Sequence, residues 1–180
     1  IHEVEEGKEY ALLMSTNAGS WRYLIGDTIK FVDLEKSEVV ITGRTKHFLS
    51  LTGEHLSVEN MNKAIELVSE EFNISITEFT VVGFPYENFF AHRWYIGTNG
   101  NVDAEKIGKR IDENLRALND DYATERDSAL KEVFMEVLSE EKFMKFMKLK
   151  GKIGSQHKFP RVMKGKMLEE WNRFLQTGKI

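Results

Sequence analysis

Gly26 and Asp27 close the stretch SWRYLIGD, and they form the first group of residues that could do chemistry. A carboxylate at a turn between strands can accept two hydrogen bonds from a ribose diol, and a glycine beside it leaves room for close approach. The same pair is common in hairpin turns, because glycine tolerates positive φ and aspartate bonds its own backbone. The residues alone therefore leave two interpretations, a ribose ligand or a turn.

A second group occupies residues 42–55, which read TGRTKHFLSLTGEH. Arg44 lies at the end of a predicted strand, and its forked guanidinium suits phosphate or ribose oxygens. The sequence changes here from β-rich to mixed helix and strand, which is where a hinge between two rigid bodies would lie. An ordinary linker between domains would give the same pattern.

A third group lies in residues 151–161, which read GKIGSQHKFPR. Two glycines followed by cations predict a mobile basic arm, although a basic surface loop would give the same pattern. The arm is not a phosphate-binding loop of the Gly-x4-Gly-Lys-Ser/Thr type, because that signature is absent.

The arm belongs to a longer cationic segment. Residues 142–168 contain nine Lys or Arg and no Asp or Glu, although the net charge of the 180-residue chain is −4. The other 16 basic side chains are outnumbered by 29 acidic ones. Such a distribution indicates either an anionic partner or a solvated lysine face.

The composition limits the kinds of site that the chain can hold. It has no cysteine, which excludes disulfides and thiolate metal sites and favours a cytoplasmic location. No apolar run approaches the ~18–20 residues of a membrane span, so we expect no membrane contact. The five histidines lack the spacing of metal ligands, so we expect no metal site. The first residue is Ile1, which suggests a processed or excised piece of a longer protein.

Hydrophobic periodicity predicts the elements that must position these groups. Short strands dominate residues 1–43, and a helix, two strands, a helix, a strand and further helices follow. We therefore expect an α+β fold that begins with a small β-rich segment, residues 1–45. Residues 46–180 should form a compact α+β sandwich, with helices on one side of a mainly antiparallel sheet.

The order of the three groups resembles the adenylate-forming enzymes, and more closely the auxin-responsive Gretchen Hagen family of acyl acid amido synthetases. The phrases that carry the resemblance are GKEYALLMSTNAGSWRYLIGD, GRTKHFLSLTGEHLSVENM, LRALNDDYATER and GKIGSQHKFPR. It covers roughly residues 4–175, and WRYLIGD and QHKFPR are the specific phrases. Because no Ser/Thr/Gly-rich phosphate loop is present, the resemblance implies a C-terminal portion that is inactive alone. It also implies that residues 1–45 are the end of a large adenylation domain and that residues 46–180 are a small mobile domain.

The resemblance implies an enzyme that uses ATP, with its Mg²⁺, to activate a carboxylic acid as an acyl-adenylate. The acyl group then passes to an amine such as an amino acid. Its partners are the small-molecule acid, the amine acceptor and the N-terminal domain of the same protein. Two alternatives remain, a ligase that passes the acyl group to a thiol such as coenzyme A, and a standalone module that binds RNA or another anion. No RNA-binding signature accompanies the basic segment, which disfavours nucleic acid.

The resemblance also implies roles for residues of the first two groups. Asp27 matches the carboxylate that binds the ribose hydroxyls, and Tyr23 lies in the same nucleotide-facing motif. Arg44 matches the arginine at the domain junction, and Lys46 falls at the hinge position of the superfamily.

Two further residues match positions that approach the phosphates. Lys158 matches the lysine of the mobile domain that would reach the α-phosphate during adenylation. His55 stands where the family usually has a nucleotide-contacting lysine. Histidine is a weaker and pH-dependent cation, so the phosphate contact at that position is in doubt.

Overall fold

The computed structural model describes residues 3–44, 48–49, 55–100, 102–152 and 158–180. Its mixture of helices and strands confirms the α+β class. Contacts divide the chain into a first unit, Ile1–Phe48 with Ser57–Glu59, and a second unit, Leu49–Leu56 with Asn60–Ile180. The assignment of residues 1–45 and 46–180 to two functional domains stays a prediction. The elements, in chain order, are β1 (Glu9–Met14), β2 (Tyr23–Asp33), β3 (Glu38–Arg44), β4 (Phe48–Leu49), β5 (Leu56–Ser57), α1 (Val58–Phe72), β6 (Glu78–Tyr86), β7 (Phe89–Gly97), α2 (Ala104–Leu118), α3 (Asp120–Asp127), β8 (Leu130–Leu138), α4 (Glu140–Leu149) and α5 (Gly165–Thr177).

The first unit contains an antiparallel sheet of three strands in the order β1-β2-β3. The hairpin between β2 and β3 turns in the stretch LEKSE, as the sequence predicts. Asp33 closes this turn, because its Oδ1 accepts a hydrogen bond from the Lys36 amide at 2.9 Å. Ser37 completes it with a φ of 58°.

The second unit is built on a mixed sheet in which β6 runs antiparallel and β8 parallel to β7. Helices α1 and α2 pack on the face that carries Val81 and Trp94. Helices α4 and α5 pack on the opposite face, which carries Val82 and Tyr95. The prediction of helices on one side was therefore wrong. Consecutive residues of β6 and β7 are apolar, and this sequence pattern is typical of strands that are buried on both faces.

Helices α2 and α3 begin where a side chain satisfies some of their first amide groups. Asp103 caps α2, because its Oδ1 accepts hydrogen bonds from the amides of Glu105 and Lys106 at 3.1 and 3.2 Å. Helix α3 was not predicted, and Asn119 caps it by accepting from the Tyr122 amide at 2.7 Å. Among the described residues, no helix has both the length and the apolar character that crossing a membrane requires.

The second core, between the sheet and helices α4 and α5, is rich in aromatic rings. Trp171 lies at its centre and is fully buried. Its ring centroid is 5.0 Å from Phe146 and 5.4 Å from both Phe143 and Phe159. Edge-to-face and tilted contacts at these distances stabilise a core beyond the burial of area alone. This cluster fixes the chain on either side of the predicted basic arm.

Candidate functional site

Gly26 and Asp27 lie inside β2, where the strand bulges away from its neighbour. Leu13 of β1 pairs with Leu24, and Ala11 pairs with Thr28, so one residue of β1 faces three residues of β2. Gly26 is buried and has a φ of 88°, a conformation that glycine adopts without steric cost. The interpretation of the pair as a hairpin turn was therefore wrong. Bulges of this kind redirect a side chain, and they are frequent beside active sites.

Asp27 lies opposite Arg44, the last residue of β3, in the register of the two strands. The Asp27 carboxylate is half-buried. Pairing of the two strands brings the backbones of these two predicted nucleotide-binding residues together. Next to this pair, Thr42 Oγ1 donates to Thr28 Oγ1 at 3.1 Å, which joins β3 to β2 beside the bulge.

Tyr23 begins β2 opposite Met14, and 56% of its side chain is exposed. It precedes Asp27 by four residues, and the bulge lies between them. The structure thus places Tyr23 on the same strand as Asp27 and leaves its ring accessible. Its role at a nucleotide stays a prediction.

His55 directly precedes β5 and adopts a φ of 39°, which is uncommon for a residue other than glycine. Its ring is exposed, and its carbonyl accepts a hydrogen bond from Asn119 Nδ2 at 3.4 Å. The Asn119 amide also donates to Asn60 Oδ1 at 3.2 Å, which ties the backbone of His55 to α1. The predicted hinge residue Lys46 lies outside the described residues.

Lys158 is exposed and directly precedes Phe159, which is 3% exposed. The Phe159 ring lies 4.8 Å from Phe143 and 5.4 Å from Trp171, inside the second core. The exposed Lys158 is therefore followed directly by a residue, Phe159, that is anchored in the core. Of the predicted arm, residues 153–157 lie outside the described part of the chain.

Arg161, the last residue of the predicted basic arm, was given no individual role from the sequence, and in the structure it makes three contacts with β6. Its Nη1 donates to Glu78 Oε2 at 2.6 Å and to the Phe79 carbonyl at 3.2 Å. Its guanidinium also lies over the Phe79 ring, 4.3 Å from the centroid. No signal in the sequence links Arg161 to Glu78, because 83 positions separate them.

On the other side of the arm, Lys150 Nζ contacts Glu170 Oε2 at 2.5 Å and joins the end of α4 to α5. This contact lowers the pKa of the Glu170 carboxyl, with Lys150 as the main cause. Arg161 and Lys150 are thus engaged with carboxylates. The remaining seven cations of residues 142–168 are exposed lysines (Lys142, Lys145, Lys148, Lys152, Lys158, Lys164 and Lys166).

A pocket of about 460 Å³ between α2 and β8 is lined by Lys109, Asp112, Arg126 and Glu132 among others, and by none of the predicted site residues. Within the described residues, no group of three or more His, Cys, Asp or Glu could hold a metal ion.

Two family models match the chain. One, described as the GH3 family central domain, matches residues 1–44, and the other, the GH3 family C-terminal domain, matches residues 59–166. No curated protein matches the chain significantly.

Solved structures share the fold. A structure of "GH3.15 acyl acid amido synthetase" is 20% identical, with a TM-score of 0.74, and the match covers 99% of this chain and 35% of that one. A second, "AtGH3.15 acyl acid amido synthetase in complex with 2,4-DB", is 21% identical, with a TM-score of 0.72 and coverage of 98% and 34%. This chain thus spans about a third of the length of those proteins.

Proposed function

The chain belongs to the GH3 (Gretchen Hagen) family, and from this premise we propose that it is the C-terminal part of an ATP-dependent acyl acid amido synthetase. The full-length enzyme activates a carboxylic acid as an acyl-adenylate and conjugates it to an amine such as an amino acid. The observation that carries the proposal is the match of two consecutive family domains, which together account for most of the chain.

In this proposal, Asp27 accepts hydrogen bonds from the ribose hydroxyls of the nucleotide. Its support is the bulge of β2 against β1 at this point, together with the position of Asp27 opposite Arg44 of β3. A half-buried carboxylate forms stronger, charge-assisted hydrogen bonds to hydroxyl donors than an exposed one does. Arg44 would contact the same nucleotide, and the exposed ring of Tyr23 would line its site.

Lys158 acts in the first half-reaction. A carboxylate oxygen of the acid attacks the α-phosphorus of ATP, the bond to the bridging oxygen breaks, and pyrophosphate leaves. Negative charge grows on the phosphate oxygens in that transition state, and the Lys158 ammonium stabilises it. Mg²⁺ accompanies the ATP phosphates and neutralises part of their charge.

In the second half-reaction, the amine nitrogen attacks the acyl carbon, the bond to AMP breaks, and the nitrogen loses a proton. We propose that residues 46–180 move between the two half-reactions, with Lys46 as the hinge. Lys158 would then approach the phosphate only in the adenylating arrangement. His55 would contact the nucleotide where the family usually has a lysine, with a weaker cation.

The residue types of the two units suit a nucleotide. The first unit offers a carboxylate for a diol, with Arg44 opposite it in the sheet, and the second unit offers exposed lysines for a polyphosphate. A polyphosphate with several negative charges is attracted by such a lysine-rich segment before any specific contact forms.

The test is ATP–pyrophosphate exchange by the full-length protein with a panel of carboxylic acids, followed by mass spectrometry with amino acids. We expect acid-dependent exchange and an amide product. Absence of exchange with every acid would count against the proposal, and a thioester formed with coenzyme A instead of an amide would favour the thiol ligase. Steep, salt-sensitive binding to RNA without exchange would favour the anion-binding module.

A further inference from the structure

We propose that Arg161 is the positioning residue for Lys158, acting through its ion pair with Glu78. The inference rests on the proposed function, because it assumes that Lys158 approaches the α-phosphate. Arg161 does not need to touch the nucleotide itself. It holds the segment 159–163 against the edge of β6, and that segment begins one residue after Lys158.

The guanidinium joins three groups of β6 at once. It donates to the Glu78 carboxylate and to the Phe79 carbonyl, and it lies 4.3 Å above the Phe79 ring. One nitrogen, Nη1, donates both hydrogen bonds while the planar guanidinium stacks on the ring. A lysine ammonium could replace the charge but not the stacked planar group that fixes the direction of the donors.

The ion pair is also partly shielded from water. The side chains of Arg161 and Glu78 are 25% and 33% exposed. By comparison, Arg110 pairs with Glu71 on the helices of the other face, and those side chains are 42% and 45% exposed. Shielding strengthens a charge pair because less solvent screens it, so the Arg161 pair should hold its geometry more firmly than the Arg110 pair.

Backbone hydrogen bonds fix the register of the same segment. The Val81 amide donates to the Arg161 carbonyl at 2.9 Å, and the Met163 amide donates to the Val81 carbonyl at 3.1 Å. Val162 thereby forms a parallel bridge with Val81 on the outer edge of β6. The guanidinium adds side-chain contacts to two neighbouring residues of that strand, which opposes sliding or fraying of the segment.

These contacts matter for Lys158 because the two residues are close in the chain. Arg161 follows Lys158 by three positions, which is at most ~11 Å of extended backbone. The Phe159 ring anchors the chain between them by burial, but a ring in a hydrophobic core does not fix the direction of the strand that follows. Displacing a reacting group by about 1 Å can cost a hundredfold in rate, so a small shift of this backbone would be visible in kinetics.

The experiment uses the full-length enzyme with Arg161→Met, Arg161→Lys and Glu78→Gln, and Arg110→Met as the matched control. We expect the first three to slow adenylation by about tenfold, with the KM for ATP within about twofold, since the nucleotide contacts are intact. Amide formation from supplied acyl-adenylate should stay within about twofold, because Lys158 has no role there. Arg110→Met should alter neither half-reaction.

A double-mutant cycle separates positioning from general stability. In the Lys158→Ala background, Arg161→Met should slow adenylation by less than about twofold, because the group that it positions is gone. A full further loss in that background, or equal losses in both half-reactions, would show a merely structural role and overturn the inference. Glu78→Gln keeps the test decisive if Arg161→Met does not fold, because it retains the shape of the side chain.

The outcomes also separate this inference from the proposed function. If Lys158→Ala slows adenylation and the Arg161 and Glu78 variants do not, the positioning role alone is overturned. If Lys158→Ala leaves adenylation unchanged, the assignment of Lys158 in the proposed function fails, and the inference fails with it.

Discussion

Asp27 and Lys158 lie in regions whose cores differ sharply. Among the described side chains of residues 3–44, Ile29 alone is a buried hydrophobic, whereas Trp21 and Ile41 are 81% and 71% exposed. The second unit has two hydrophobic cores, one on each face of its sheet. Within this chain, strand pairing holds Asp27, and buried aromatic rings hold the backbone beside Lys158.

This difference suits the two proposed tasks. A ribose-binding carboxylate on a strand must point toward the ribose, and a bulge in the strand can set that direction. A cation that moves with a domain keeps its place only if that domain is rigid, and rigidity requires a core of its own. The predictions below test this contrast, from the largest expected effect to the smallest.

Truncating the central ring of the second core should have the largest effect. Trp171→Ala should lower the free energy of unfolding by about 3–5 kcal/mol, because it leaves a large cavity among packed rings. Trp21→Ala, in the first unit, should change it by less than about 0.5 kcal/mol. Guanidinium denaturation of this chain gives both values. Similar losses for the two tryptophans would mean that the contrast between the regions is mistaken.

Removing the proposed catalytic cation comes next. In the full-length enzyme, Lys158→Ala should slow adenylation by roughly a hundredfold or more, as with other groups that stabilise transition-state charge. Pyrophosphate exchange measures this step, and amide formation from supplied acyl-adenylate should not change. Lys164→Ala, another exposed lysine of the same segment, is the control. A defect confined to amide formation would assign Lys158 to the other half-reaction.

Removing the proposed ribose ligand should have a smaller effect. Asp27→Ala should weaken ATP use by about ten- to a hundredfold, since losing a charge-assisted pair of hydrogen bonds costs roughly 1.5–3 kcal/mol. Asp33→Ala is the matched control, because Asp33 lies on the same strand and bonds Lys36 in the hairpin. Unchanged pyrophosphate exchange in the Asp27 variant would exclude it as a nucleotide ligand.

The smallest effect concerns the contact between Lys150 and Glu170. Because Lys150 lowers the pKa of Glu170 below its ordinary value of 4.5, the ionised pair stabilises the fold above pH 4.5. That contribution is lost as the pH falls through the lowered pKa. Thermal melts should therefore show Glu170→Gln slightly less stable than the parent at pH 7, with the difference disappearing in acid. Glu169→Gln, at the exposed neighbouring glutamate, is the matched control.

Local sequence signals predicted the elements of the second unit well. The run FFAHRWYIG coincides with β7, and Asp103 caps α2 because both features depend on neighbouring residues. Helix α4 was also predicted, and it buries Phe143, Phe146 and Met147 while Met144 is 61% exposed. The helical period places Met144 away from the buried face.

Features that depend on distant pairing could not be predicted in this way. The bulge at Gly26 exists only in the register between β1 and β2, and a single strand read alone gives no register. The contact of Arg161 with Glu78 likewise requires the fold of the whole second unit. The resemblance supplied Asp27 and Lys158 as candidates, whereas the structure was needed to find what holds them.

The segment around Val162 also has a consequence for how the protein behaves at high concentration. An outer strand with unpaired amide and carbonyl groups is a template for pairing with another chain, which leads to aggregation. Here the amide and carbonyl of Val81 on the outer edge of β6 are already bonded to residues 161 and 163. A variant in which this segment detaches would expose them, so it should form aggregates during storage or heating before it loses its helices.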